Sequence, residues 1–173
     1  MELKQAVEAI LFASDDPIAS AKIVEALKEA LPEVRKADVE EVIRQLKADY
    51  DNSNRGFSIE EIAGGVQVLT RPQFADIIAK LRRSKAEKKL SAAALETLAI
   101  VAYKQPIKRV DLEAIRGVAT GDVLRALMER RLVRITGREE IPGAPVLYGT
   151  TAEFLEAFGI KSLDDLPRPE EVK

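Results

Sequence analysis

The sequence contains no cysteine, no histidine and no tryptophan. Without cysteine it can form no disulfide, raise no thiolate nucleophile and build no thiolate metal site. Without histidine it lacks the side chain most used as a general base near neutral pH and as a metal ligand. Aromatic residues are scarce, with five Phe and three Tyr, so a core has to be built from Leu, Ile, Val and Ala. Also missing are a glycine-rich phosphate loop, a nucleophile elbow and any metal-ligand spacing. These absences together predict a protein that is not an enzyme and has no cofactor, no bound metal and no small-molecule substrate. Apolar residues near the start are interrupted by Glu2, Lys4, Gln5 and Glu8 on a helical period. That pattern fits neither a signal sequence nor a membrane span, and the expectation is a cytoplasmic protein.

What is present is a charge distribution that divides the chain. Residues 1–81 carry ten Lys or Arg against fifteen Asp or Glu, residues 82–90 carry five against one, and residues 91–173 carry twelve against thirteen. The basic stretch Arg82-Arg83-Ser84-Lys85-Ala86-Glu87-Lys88-Lys89 has no large apolar residue and reads as a helix end running into a solvated linker.

On either side of this stretch the order of elements repeats. Leu3, Val7, Ile10 and Leu11 mark a first helix, Asp15-Asp16-Pro17-Ile18 a break, and Ser20 through Ile23, Val24 and Leu27 a second helix. In the other half Leu95, Leu98, Ile100, Val101 and Ala102 mark the helix, and Lys104-Gln105-Pro106-Ile107 the break. Val110, Leu112 and Ile115 mark the next helix. Pro-Ile stands at both breaks, six residues before Ile23 and Leu112. A third helix follows in each half, with Val39, Val42, Ile43 and Leu46 in one and Val123, Leu124, Leu127 and Met128 in the other. Two short strands come next. Phe57, Ile59 and Ile62 lead to Gly64-Gly65, expected at the hairpin tip, and Val66, Val68 and Thr70 return. Leu132 to Thr136 and Val146 to Tyr148 flank a longer loop containing Pro142, Gly143 and Pro145. Each hairpin runs into a last helix, with Thr70 and Thr150 four residues before Phe74 and Phe154.

Three helices, a two-stranded wing and a closing helix make a winged helix. The fold class expected is therefore mainly α with small β wings, an α+β arrangement of two tandem winged-helix domains. Residues 1–83 form the first, 84–90 a basic linker, 91–166 the second, and 167–173 a disordered tail.

Winged helices often read DNA, and phosphate binding needs cations free of competing carboxylates. The third helix of the first half mixes Arg35, Lys36, Arg44 and Lys47 with Asp38, Glu40, Glu41, Asp49 and Asp51, so a duplex would repel it. The second half offers Arg125, Arg130, Arg134 and Arg138, a candidate set for indirect or weak DNA contact and the basis for an alternative reading as a DNA-binding transcriptional regulator. Adjacent Glu139 and Glu140 at the second wing tip point apart in extended chain and are read as surface solubility. The run Ile141-Pro142-Gly143-Ala144-Pro145-Val146-Leu147-Tyr148 is too apolar and too constrained for an ordinary solvent loop. Ile141, Pro142, Pro145 and Tyr148, with Tyr103 at the end of the preceding helix, are the candidate partner-binding residues.

Several long runs carry a resemblance. Leu95 through Ile107 (LETLAIVAYKQPI), Ile115-Arg116-Gly117-Val118, Pro142-Gly143 with Val146 through Thr151, and Phe158-Gly159 with Ser162 through Pro167 resemble the bacterial segregation and condensation protein B family. Glu8 through Ser14, and Gly64-Gly65 with Thr70-Arg71-Pro72, add weaker matches. The resemblance implies a homodimer formed mainly through the first domain, and binding of a kleisin, segregation and condensation protein A. It further implies an indirect link through that kleisin to an SMC ATPase, in a nucleoid-associated complex that condenses and segregates chromosomes. Two residues depart from the family's pattern: Arg131, where a helix-ending glycine is expected, and Ala144, at a wing position that is often polar.

Overall fold

The structure, a computed structural model, describes residues 2–81 and 90–168. These fall into two compact units, residues 2–81 with 159–168, and residues 90–158. Each is a winged helix. Apart from Leu90 the expected linker lies outside the described residues, as does the tail beyond Arg168. No helix among the described residues is long and apolar enough to cross a membrane.

The first unit consists of α1 (Leu3–Ala13), α2 (Ser20–Leu27), α3 (Lys36–Asn52), β1 (Phe57–Ile62), β2 (Gly65–Thr70), a 3-10 turn (Pro72–Phe74) and α4 (Ala75–Leu81). One face of each long helix is apolar at helical spacing, and those faces meet. Val7, Leu11, Ile23, Val39, Leu46 and Ile59 are almost wholly buried together. At about 1.5–3 kcal/mol for each large aliphatic side chain taken out of water, this cluster is the dominant stabilising contribution of the unit. Helix α3 starts where the Asp38 carboxylate accepts the Arg35 backbone N–H at 3.0 Å and two bonds from its guanidinium. This holds the carboxyl below its ordinary pKa, chiefly through the guanidinium hydrogen bonds. Tyr50, near the end of α3, places its ring edge-on to Phe57 and donates its hydroxyl to Glu8 at 2.7 Å.

The second unit repeats the plan with α5 (Ala92–Lys104), β3 (Ile107–Lys108), α6 (Arg109–Arg116), α7 (Gly121–Glu129), β4 (Val133–Arg138), β5 (Val146–Thr150) and α8 (Ala152–Phe158). Leu98, Val101, Leu112, Leu124, Leu127, Val133 and Phe154 fill its core. The sheet order is β3-β5-β4, all antiparallel. Ser91 caps α5 by accepting the Ala94 N–H at 3.2 Å.

The repeated Pro-Ile has a structural meaning. Ile18 bridges Val66 of the returning wing strand, and Ile107 pairs with Tyr148 of the other returning strand. In the second unit the isoleucine begins a third strand of the wing; in the first it makes an isolated bridge to a two-stranded wing. Six residues after the proline, Ile23 and Leu112 are both fully buried.

The structure adds to the sequence reading at four points. The first hairpin turns on Ala63 (φ 50°) and Gly64 (φ 74°), while Gly65 is the first residue of β2. A Cβ on Gly65 would stand 2.8 Å from the Pro17 carbonyl carbon, so its need for glycine is the approach of the bridging strand. Arg131 adopts the glycine conformation, φ 57°, at the end of α7. Its N–H reaches the Met128 carbonyl at 2.9 Å and the Leu132 N–H the Leu127 carbonyl at 2.9 Å, the two bonds of a Schellman end. Leu95, Val110 and Ile115, which mark helices in the sequence, are exposed. Helix α6 has only about two turns, and Leu112 takes the position that faces inward. By its contacts the chain from Gly159 groups with the first unit, whereas the sequence reading takes the second domain through residue 166.

Candidate partner-binding surface

The second wing is assembled from three strands whose pairing sets which side chains share a face. Directly opposed residues lie on the same side of a sheet. Ile107, Tyr148 and Ile135 are opposed across β3, β5 and β4 and form one apolar row. Along that row burial falls from the core outward: Ile107 is buried, Tyr148 half-buried and Ile135 54% exposed. The row carries the apolar surface of the core out to the open edge of the sheet.

Beyond the row, the loop between β4 and β5 is held in one shape by its own hydrogen bonds. The Glu139 N–H donates to the Pro145 carbonyl at 3.0 Å and the Ala144 N–H to the Ile141 carbonyl at 2.9 Å. Arg138 Nη1 reaches the Ala144 carbonyl at 3.1 Å. Lys108 pairs with Glu139 at 3.0 Å and Asp111 at 3.5 Å, which raises its pKa, first through the hydrogen bond to Glu139. Glu139 is thus a strut of the loop, where sequence analysis reads it as surface solubility. Gly143 (φ 90°) and Ala144 (φ 38°) turn the chain. Ala144 therefore occupies a position that strains an L-residue. The result is a loop already ordered, with Ile141 49% exposed and Pro142 and Gly143 exposed beside it. A partner docking there loses little loop entropy.

Of the candidate binding residues, Ile141 and Pro142 stand at this tip, Pro145 is half-buried at the return, and Tyr148 lies in the apolar row. Tyr103 sits apart on the last turn of α5 and is 40% exposed. Two residues later Gln105 clamps α5 to the sheet. Its Nε2 donates to Thr150 Oγ1 at 2.9 Å, and its Oε1 accepts the Thr150 N–H at 2.8 Å. Sequence reasoning missed Val110, Ile115 and Val118, which are exposed on α6 and the turn after it. The shortness of that helix was the available signal, since it cannot bury apolar residues on two faces.

The candidate nucleic-acid residues do not form one basic stripe. Arg134 opposes Gly149, and Arg138 opposes Val146, with a register shift between Ile135 and Gly137. Gly149 and Val146 are an odd number of residues apart, so the bulge puts Arg134 and Arg138 on opposite faces of the wing. Both also reach backbone carbonyls of their own unit, Arg134 that of Thr150 at 3.3 Å and Arg138 that of Ala144. Arg125 is exposed on α7, and Arg130 follows that helix at its C-terminal end. In the first unit the cations of α3 are matched internally. Arg35 pairs with Asp38, Lys36 with Glu40 and Arg44 with Glu41, while Lys47 lies 3.7 Å from Glu60 of β1.

Comparison with known proteins places this architecture. The family described as segregation and condensation complex subunit ScpB matches residues 5–169. Segregation and condensation protein B of Syntrophotalea carbinolica is 44% identical over 167 residues, covering 96% of this chain and 82% of that protein. Its counterpart in Moorella thermoacetica is 45% identical over 170 residues, covering 98% and 84%. The crystal structure of ScpB from Mycobacterium tuberculosis is 33% identical, covers 92% of this chain and 96% of that one, and superposes with a TM-score of 0.42. With the family matched from residue 5 to residue 169 and relatives above 40% identity over nearly the whole of it, the chain belongs to the ScpB family.

Proposed function

We propose that this chain is the non-catalytic adaptor of an SMC–kleisin complex, working in the cytoplasm at the nucleoid. It holds an extended segment of the kleisin, segregation and condensation protein A, against the second wing. Through the kleisin it is joined to the SMC ATPase, and ATP hydrolysis belongs to that partner. The observation that carries the reading is the pre-ordered apolar tip, Ile141-Pro142-Gly143, continuous through β4 and β5 with the row Ile135–Tyr148–Ile107. Apolar side chains exposed in one patch, on a loop that its own hydrogen bonds keep from collapsing, suit a partner that supplies the missing cover. Homodimerisation is assigned to the first unit, which leaves Phe12 80% exposed and also exposes Ile77 and Leu81.

The test is co-elution of the purified chain with the central region of the kleisin, followed by light scattering. A stable complex is expected, and Ile141→Asp and Ile135→Asp should weaken it at least ten-fold while lowering the melting temperature by only a few degrees, because about half of each side chain is exposed. Failure of the unmodified chain to co-elute would reject the adaptor reading. Co-elution unaffected by either aspartate would move the contact off the second wing.

A further inference from the structure

The chain does not end its structural work at α8. Gly159, at φ 64°, turns it away from that helix, and the following residues lie on the wing of the first unit. The Ala63 N–H, in the two-residue turn of that wing, donates to the Ile160 carbonyl at 3.1 Å. The Lys161 ammonium pairs with Glu61 of β1. Within the segment, Asp165 Oδ2 accepts the N–H of Lys161 at 2.8 Å and of Ser162 at 3.1 Å, and Ser162 Oγ accepts the Asp164 N–H at 3.3 Å. Residues 161–165 are therefore one self-closed turn, with Ile160 and Leu166 half-buried at its ends. Lys161 also lines the groove between α3 and the first wing, with Ser20, Glu40, Ile43 and Arg44.

We propose that residues 160–166 are a reversible clasp that closes this groove from the wing side and opens as a unit about Gly159. Two features make it reversible. Among the described residues its polar attachments to the wing are a main-chain hydrogen bond and an exposed ion pair, and an exposed ion pair contributes little and is screened by salt. The bonds that order the turn are internal to it, so releasing the wing does not cost the turn its shape. The carboxyl of Glu61 is held below its ordinary pKa and the ammonium of Lys161 above its own, each chiefly by their mutual hydrogen bond, as a closed clasp requires. Opening frees the Ala63 N–H, the Glu61 carboxylate and the Glu40–Arg44 side of the groove together. Access to that face of the first unit is thereby tied to ionic strength.

Amide hydrogen exchange on the full chain tests this, because the Ala63 N–H is the amide that the clasp covers. Raising salt from low to high should speed exchange at Ala63 by about two- to five-fold. At low salt, Lys161→Glu and Glu61→Lys should each speed it by at least that much. In Lys161→Glu the salt dependence should invert, since salt then screens a repulsion. The double swap, with both substitutions, should restore slow exchange. The Thr150 N–H, bonded to Gln105 in the other unit, reports global stability and should not move in any variant. Exchange at Ala63 that ignores salt, or a double swap that exchanges as fast as the single reversals while Thr150 is unchanged, would overturn the clasp.

Discussion

Arg131 offers the sharpest test of how this chain's stability is distributed. It is the residue after the α7 C-cap, held at φ 57° by the two Schellman bonds from its own N–H and that of Leu132, each 2.9 Å. A side chain there brings Cβ against the carbonyl oxygen, at a cost of about 1–2 kcal/mol. Arg131→Gly removes that cost but gives the unfolded chain more freedom, which offsets about 0.4–1 kcal/mol. The net expectation is a gain of about 0.5–1 kcal/mol in the second unit. For a unit of this size such a gain raises the midpoint of unfolding by about 2–8 °C. Differential scanning calorimetry and urea titration on the full chain measure it, with Arg131→Ala as control. Alanine keeps Cβ and the strain, so it should give none of the gain. A glycine variant that melts at or below the parent temperature with an unchanged urea slope would show that the strain is not there, and that the helix end is stabilised by something other than the backbone.

Three further outcomes are expected. Gly65→Ala forces a Cβ to 2.8 Å from the Pro17 backbone and should cost about 1–3 kcal/mol in urea titration, whereas Gly137→Ala, with open space around it, should stay within about 0.5 kcal/mol. Tyr50→Phe removes the 2.7 Å bond to Glu8 and should cost about 1–2 kcal/mol. Burial first, and then the bond to Glu8, push the Tyr50 hydroxyl up to about 12. A group whose folded pKa is raised lends stability below its unfolded pKa, near 10, and loses it as pH rises toward 12. Denaturation followed across that window should therefore show a fall in stability that is absent in Tyr50→Phe. Ser91→Ala removes the cap of α5 and should cost about 0.5–2 kcal/mol, read as a lower calorimetric midpoint for the second unit.

Much of the fold is legible in the residues because the frame is used twice. Pro17-Ile18 and Pro106-Ile107 mark the bridging strand in each unit, and Val39, Val42, Ile43 and Leu46 mark a buried helix face without ambiguity. What sequence could not supply was which of several apolar residues on a short helix turns inward. Val110 and Ile115 have the same hydrophobicity as Leu112, and only packing against α5 and the sheet decides among them. Arg131 stands where the resemblance expects a helix-ending glycine, but the residue itself gives no sign of the left-handed backbone that the chain around it imposes. The clasp was illegible for a different reason: the Lys161–Glu61 pair spans 100 positions, and no local pattern reports so distant a contact. In the candidate site, Ile141 and Pro142 were legible as apolar residues in a constrained loop. The separation of Arg134 from Arg138 was not, because it depends on a bulge one residue long.

The two wings show how one frame comes to serve different ends. In the first, β1 and β2 are joined by the two-residue turn Ala63-Gly64, so the pairing register runs unbroken from Phe57–Thr70 to Ile62–Gly65 and no large apolar side chain is left over at the tip. In the second, the bulge after Ile135 and the longer loop up to Val146 add residues that the sheet cannot pair. Those residues must either be solvated or be ordered by their own bonds. The chain takes the second course, with prolines at 142 and 145 and the Glu139–Pro145 and Ala144–Ile141 hydrogen bonds, and then places isoleucine at the exposed position. Holding an apolar residue in water on a rigid loop adds nothing to the stability of the isolated unit. Its full stabilising value would come when another chain covers it, and in the proposed reading that is what the extra length of the second wing is for.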